Sequence, residues 1–426
     1  MIRSLFLVAL LLTGLSAVRQ LSPIPLPRNE VIDLDPRLYD RHTLLELAER
    51  GYLFTFLAKT SQTTDETLRQ LRAQILQEMG WTTNPAAGTL ETYRLALVFV
   101  PSRLGPYRHS IAKTAAGYLL YRGGPFEMES FDFDANATEA MMAQILQSTR
   151  DYDLTIAPLR ADEAEEICRH PLEGLLFIPN VHADEAACDN AQVRFGAIDY
   201  RRQIAELLAF HEEGPLYVVY DHTPLSKKLT QITLEYRPDA VTLDLAASRY
   251  FKPLFEQNPD INGSTLLIHT PVVKTSLFLS QMTLVDMQPS RVLSTQINYT
   301  PRLLTLTQYH DRETMILADA IGKADEKLTQ SLETMGADIR YNWLNYATLT
   351  GLDEAFSAQT GLPRLSDTPL QGDRFVYPLR YYEAGLYRFI EHQPPAITPM
   401  TEATPPDRAE SWPDAPLSDR PTGPGL

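Results

Sequence analysis

From Arg94 onward the chain alternates short apolar runs with amphipathic stretches, and this alternation restricts the fold more than any other feature of the sequence. Arg94 to Val100 (RLALVFV) is too short and too evenly apolar for a surface helix, and it reads as a buried strand. Ser110 to Tyr121 has helical spacing, Phe126 to Asp134 returns to a strand, and Asn136-Ala137-Thr138-Glu139 caps a helix to Ser148. Leu154 to Ala157, a helix from Ala161 to Cys168, and strands at Gly174 to Val181 and Val193 to Ile198 complete the series. Strands separated by helices pair in parallel through right-handed crossovers, so this stretch predicts a doubly wound α/β lobe.

The series then begins again. A helix at Arg201 to Phe210 leads to Pro215 to Tyr220 (PLYVVY), and Thr223 with Pro224 forms an N-cap followed by proline at the first helical position. Ala240 to Leu245, a helix at Arg249 to Gln257, Thr265 to His269 and a strand near Arg291 to Asn298 follow. Helices are expected at about Glu313 to Met335 and Tyr341 to Ala355, with Phe375 to Tyr382 as a terminal strand. Ahead of the first strand, His42 to Ala58 reads as one amphipathic helix. Thr63-Thr64-Asp65-Glu66 reads as the capping box of a second, with Leu68, Leu71, Ile75 and Leu76 on its apolar face.

The two ends speak to compartment. Arg3, the apolar run Leu5 to Leu12 and the small residues of Thr13-Gly14-Leu15-Ser16-Ala17 read as a secretory signal peptide over residues 1–17. That run falls short of the roughly 20 residues a bilayer crossing needs, so no stable membrane insertion is expected. The segment after His392 holds seven prolines before Arg420 and almost nothing apolar, which predicts a disordered tail over 393–426. Cys168 and Cys188 are the only cysteines, and neither follows the cleavage point, so lipidation is not expected. In an oxidising compartment they most simply pair, closing a loop worth about 3 kcal/mol.

A net charge of −16 and the lack of any lysine and arginine cluster argue against nucleic acid. The chain contains no GxSxG elbow, GxxxxGK[ST] phosphate loop, HExxH helix or GxGxxG turn; His211-Glu212-Glu213-Gly214 lacks the second histidine of a zinc site. Asp132 and Asp134 alternate with Phe131 and Phe133 as in a half-buried strand. Neither an enzyme nor a cofactor or metal is expected.

The order of elements, with several short signatures, resembles the type I periplasmic binding-protein family. The signatures are Pro101-Ser102-Arg103-Leu104-Gly105-Pro106-Tyr107 after the first strand, Ala157-Pro158-Leu159-Arg160 after the third, the Val193 to Asp199 strand leading into Arg201 and Arg202, and Pro215 to Lys228. The resemblance covers about three quarters of the chain and implies an α/β fold of two doubly wound lobes of type I periplasmic binding-protein architecture. Here that fold carries an N-terminal helical extension. The implied division is a leader and helical extension over 18–91, lobe I over 92–200 with about 301–390 returning to it, and lobe II over 201–300. The helical segment before the first strand makes the layout most similar to the periplasmic activators of penicillin-binding proteins, although those are lipidated.

In such a fold the ligand sits between the carboxyl ends of both sets of strands. The resemblance places serine and threonine hydroxyls from the first and third loops on a ligand carboxylate, and an acidic side chain of the other lobe on its amine. The cleft candidates are therefore Ser102, Tyr107 as a cover, Arg160 for a carboxylate, Asp221 for an amine, and Thr223 beside it. The same residues also serve as ordinary caps and turns, and that use is favoured for Ser102, Arg160 and Asp221. The tyrosine-rich segments Arg340 to Tyr346 and Tyr377 to Tyr387 read as core packing, with an interface as the other possibility. The function expected is a non-catalytic periplasmic module working through contacts with an envelope protein, as a regulator or assembly factor of cell-envelope machinery. The alternative is a receptor for an amino acid or other small carboxylate.

Overall fold

The computed structural model describes residues 38–79, 91–133, 139–246 and 249–393. The signal peptide, the cap at Asn136, Asp134 and the tail beyond Gln393 lie outside them.

The described residues form two seven-stranded sheets with flanking helices. The first contains β1 (Tyr93–Phe99), β2 (Phe126–Asp132), β3 (Leu154–Ile156), β4 (Leu175–Ile178) and β5 (Val193–Phe195), all parallel where they meet. The second contains β6 (Leu216–Tyr220), β7 (Val241–Asp244), β8 (Thr265–Ile268), β9 (Arg291–Ser294) and β10 (Met315–Asp319), again parallel. Both place the first strand of the series second from one edge, with orders 5-4-3-1-2 and 10-9-8-6-7 along their parallel parts. Repetition of one winding is what the repeated sequence pattern predicts. Central strands are apolar on both faces because helices cover both; Leu95, Ala96, Leu97 and Val98 of β1 are each at most 1% exposed.

The last part of the chain divides between the lobes in a way the sequence reading missed. Residues 313–335 do not form one helix: Met315 to Asp319 is the strand β10, and α14 (Glu326–Thr334) starts only after the chain has crossed back to the first lobe. The strand expected over Phe375 to Tyr382 is two strands in two different sheets. β12 (Arg374–Phe375), paired with β11 (Leu370–Gln371), joins β5, whereas β13 (Arg380–Ala384) and β14 (Phe389–His392) extend the second sheet antiparallel to β10. Pro378 sits between them, where a missing N–H interrupts any ladder. Lobe II thus continues past 300 as far as β10 and regains the chain at β13; the chain crosses near 198–200, 320–322 and 377–379.

Among the described residues three helices, where two were expected, precede β1: α1 (Arg41–Glu49), α2 (Leu53–Lys59) and α3 (Glu66–Glu78). Gly51 takes φ +81°, which breaks the periodic stretch between α1 and α2. The cap of α3 is Asp65 itself, accepting from the Leu68 amide at 3.0 Å; the expected threonine box does not form, and Thr63 instead accepts from Asp65 N. All three helices bury their apolar sides in lobe I. Phe56, Leu57, Ile75 and Leu76 belong to one core cluster with Tyr118, Leu119, Leu328 and Phe356. These belong to α5 (Tyr107–Arg122), α14 and α15 (Trp343–Thr360), which lie on the same side of the sheet. Close approach is built in: a Cβ on Gly351 of α15 would lie 2.4 Å from the Phe177 ring of β4.

Cys168, the last residue of α7 (Ala161–Cys168), and Cys188 form a disulfide across a separation of 20 residues. No helix among the described residues is long and apolar enough to cross a membrane.

Candidate functional site

A cleft of about 780 Å³ lies between the lobes at the carboxyl ends of the strands. Four aromatic residues, Tyr107, Tyr200, Tyr341 and Trp343, line it together with aliphatic side chains such as Ile198 and Leu225 and with polar ones including Ser110, Asn180, Lys228, Gln296 and Arg302. Local structure fixes each. Tyr107 opens α5 and is 53% exposed, Tyr200 opens α8 (Tyr200–Leu208), and Trp343 opens α15 behind the Asn342 N-cap. Asp338 accepts from the Arg340 and Tyr341 amides at 2.8 and 3.0 Å and so sets the turn that presents Tyr341.

Gln296 follows β9. Its amide oxygen takes the Ala320 N–H at 2.6 Å, and its own N–H reaches the Gln203 side chain at 3.1 Å. The cleft is spanned on one side by the ion pair of Lys228 with Glu185 and on the other by Tyr341 against Tyr299, whose ring centres are 5.4 Å apart.

Of the five sequence candidates only Tyr107 lines this cleft. Ser102 is an exposed residue of the short helix α4 (Pro101–Leu104). Arg160 is the N-cap of α7; its guanidinium donates to Asp162 at 3.0 and 2.8 Å, and its N–H donates to Glu163. Asp221 is buried and accepts from the Thr223 N–H at 3.0 Å and its hydroxyl at 2.7 Å, with Lys274 at 3.4 Å. Burial pushes the Asp221 carboxyl up, but the Thr223 hydrogen bonds and the Lys274 ammonium outweigh it and the net direction is down. Thr223, having given its hydroxyl to Asp221, caps α9 (Pro224–Tyr236) without a side-chain bond. Four of the five are thus engaged in helix starts or turns.

Sequence reasoning missed Arg103 and Glu163. Arg103 donates to both Glu163 oxygens at 2.8 and 2.7 Å, and Glu163 is 2% exposed. This bidentate pair ties α4, after β1, to α7, after β3, which are the two segments that the resemblance assigned to a ligand carboxylate. A signal existed: Glu163 stands three residues after the N-cap Arg160, the position from which a carboxylate reaches back to the cap. The tyrosine-rich segments are divided. Tyr346 and Tyr377 pack in lobe I, Tyr381 and Tyr382 in lobe II, Tyr341 and Trp343 face the cleft, and Tyr387 is 87% exposed. Phe131 and Phe133 pack on the lobe I core as expected, and Asp132 pairs with Arg108. Among the described residues no group of three or more histidine, cysteine, aspartate or glutamate side chains is placed to hold a metal ion.

No protein-family model matches the chain, and no curated protein does. Solved structures do. A branched chain amino acid ABC transporter periplasmic ligand-binding protein from Burkholderia xenovorans matches 71% of this chain and 95% of its own, with TM-score 0.53 and 10% identity. A branched chain amino acid ABC transporter protein from Thermus thermophilus with bound valine matches 72% and 96%, with TM-score 0.52 and 12% identity. The fold is that of the type I periplasmic binding proteins. Haemophilus influenzae LpoA also aligns, over 83% of this chain and 72% of its own, with TM-score 0.46 and 11% identity. At these identities the common property is the type I fold, and the chemistry of the cleft must be read from this chain's own residues.

Proposed function

We propose that this chain is a non-catalytic periplasmic module of type I fold that acts through protein contacts, as a regulator or assembly factor of cell-envelope machinery. The observation that carries the reading is the distribution of exposed apolar side chains. Of the twelve large ones among the described residues, ten lie in lobe II, which marks that lobe as the adhesive one. They concentrate on neighbouring elements. Val273, Leu277 and Leu284 lie on α11 (Val272–Leu284), Leu306 on α12 (Pro301–Leu306), Tyr309 on α13 (Tyr309–Arg312), and Leu386, Tyr387 and Ile390 around the β13–β14 turn. Asp311 of α13 accepts from Ser280 and Thr283 of α11, and Arg312 donates to the Gly385 and Leu386 carbonyls, so these parts form one supported face. The Arg103–Glu163 pair supports the same reading, because it engages within the protein the arginine that follows β1, in one of the two segments the resemblance assigned to a ligand carboxylate.

Site-specific photo-cross-linking in the exporting cell tests it. A discrete protein adduct is expected from position Leu284 and none from Glu165 on α7 of lobe I. Adducts of equal yield from both positions, or from neither, contradict the reading.

A second reading, a receptor for a small solute, is favoured by the cleft itself, whose 780 Å³ lies within the roughly 300–1,000 Å³ of small-molecule sites. It makes Tyr107 and Trp343, not Arg160, the residues on which binding depends.

A further inference from the structure

The chain holds 54 aspartates and glutamates against 38 lysines and arginines, so a guanidinium on its surface readily finds a carboxylate. Among the described residues, every arginine but three makes a hydrogen bond or an ion pair through its guanidinium; the three are Arg249, Arg302 and Arg388. All are exposed, all belong to lobe II, and they stand around one apolar stripe. Val273, Leu277 and Leu284 share one side of α11, with Gln281 on one flank of that stripe and Ser280 on the other. Gln281 donates to the Arg249 carbonyl and accepts the Phe251 N–H, each at 2.8 Å, which lays the segment Arg249 to Phe251 along the first flank. Ser280 donates to Asp311 at 2.9 Å and lays α13 along the second. Arg302 stands one turn before Leu306 on α12, on the same side of that helix. Arg388 follows Tyr387 in the β13–β14 turn, which Arg312 of α13 holds through the Gly385 and Leu386 carbonyls. Exposed apolar side chains and unspent cations from three separate segments therefore coincide.

We propose that this face receives an acidic polypeptide segment of a partner, which lays apolar side chains along the α11 stripe and carboxylates on Arg249, Arg302 and Arg388. The proposal rests on the protein-contact reading above and names the chemistry of that partner. Arginine suits the task. Its guanidinium is weakly hydrated, pairs with a carboxylate through two parallel hydrogen bonds, and is enriched at protein interfaces, where aspartate and glutamate are depleted. Asp286, Glu313 and Glu391 are exposed around the same face, also without an ion pair, so both signs of charge are present. A polypeptide can match a mixed pattern, whereas an anionic bilayer presents one sign over a plane and repels a chain of net charge −16. The observations therefore favour a protein segment over a lipid surface.

Photo-cross-linking from position Leu284 in the exporting cell, repeated in the double variant Arg302→Glu, Arg388→Glu, tests it. The partner adduct should fall by about tenfold or more, because two attractive pairs become repulsive. Arg150→Glu, at an exposed arginine of lobe I, should leave the yield within about twofold. Mass spectrometry should place the adduct in a segment with more carboxylates than cations, and vesicles of phosphatidylglycerol and phosphatidylethanolamine should not bind the purified protein. An adduct of unchanged yield in the double variant, or one in a neutral or basic segment, overturns the proposal and leaves the protein-contact reading standing. An adduct with residues 394–426 or with a second copy of this chain overturns it too, as does vesicle binding that the double variant loses. No adduct from Leu284 with the arginines intact overturns both. Should the double variant fail to fold, Arg249→Glu alone is read in the same way.

Discussion

Asp353→Ala should reduce the free energy of unfolding by about 3 to 5 kcal/mol, enough to remove most of the stability of an ordinary domain. The residue lies on α15 with no exposed surface and accepts from the Arg122 guanidinium at 2.7 Å, the Tyr118 hydroxyl at 2.9 Å, and the Leu365 and Ser366 amides at 2.9 and 2.8 Å. Arg122 ends α5 and is itself 6% exposed, with further bonds to Ser357 and the Pro363 carbonyl. Removing the carboxylate strands a buried cation and two buried N–H groups together, and each of these is costly. Denaturant titration followed by circular dichroism measures the loss. A change below about 1 kcal/mol would mean that water reaches Arg122 and that α5 and α15 are not clamped as described.

Removing α1 to α3, residues 38–79, should abolish cooperative folding of lobe I and leave an aggregating chain. These helices are part of the core of the first lobe. Their Phe56, Leu57, Ile75 and Leu76, each at most 3% exposed, fill the same core as Tyr118 and Phe356. Phe56→Ala alone should cost about 3 to 5 kcal/mol by the usual cost of emptying a buried aromatic site. Size-exclusion chromatography and near-ultraviolet dichroism of the truncated chain provide the check, and a monomer with the native spectrum would contradict this account. Loss of function on such a truncation reports folding and says nothing about a partner.

Much of this architecture was legible because period and length separate buried strands from surface helices. That worked for the strands β1 to β9, where apolar runs are short and bounded by caps; the helix α11 (Val272–Leu284) between β8 and β9 was passed over. It failed at Met315 to Asp319, whose apolar residues merged with the helical spacing after Asp325, and at Phe375 to Tyr382, where the meaning of Pro378 was passed over. Both misread strands fall at crossings between lobes, where nothing local announces that the chain is changing sheets. The site was less legible than the fold. Ser102, Arg160 and Asp221 occupy the expected strand ends, yet their side chains are either exposed away from the cleft or engaged in caps, because a residue type at a loop does not fix where it points. Aromatic side chains from helix starts, Tyr107, Tyr200 and Trp343, with Tyr341 just before one, line the cleft; Tyr107 was expected there as a cover, whereas Tyr341 and Trp343 lie in a segment that read as core packing.

The central claim is that contacts with another protein, and not capture of a solute, are what this fold is used for. Differential scanning fluorimetry of the mature, unrefolded protein against a panel of amino acids and dicarboxylates tests it most directly. The account predicts a flat panel. A compound that stabilises the protein by about 2.7 kcal/mol at a hundredfold excess over its dissociation constant, with the effect lost in Tyr107→Ala or Trp343→Ala, would contradict it and make the cleft a working receptor site.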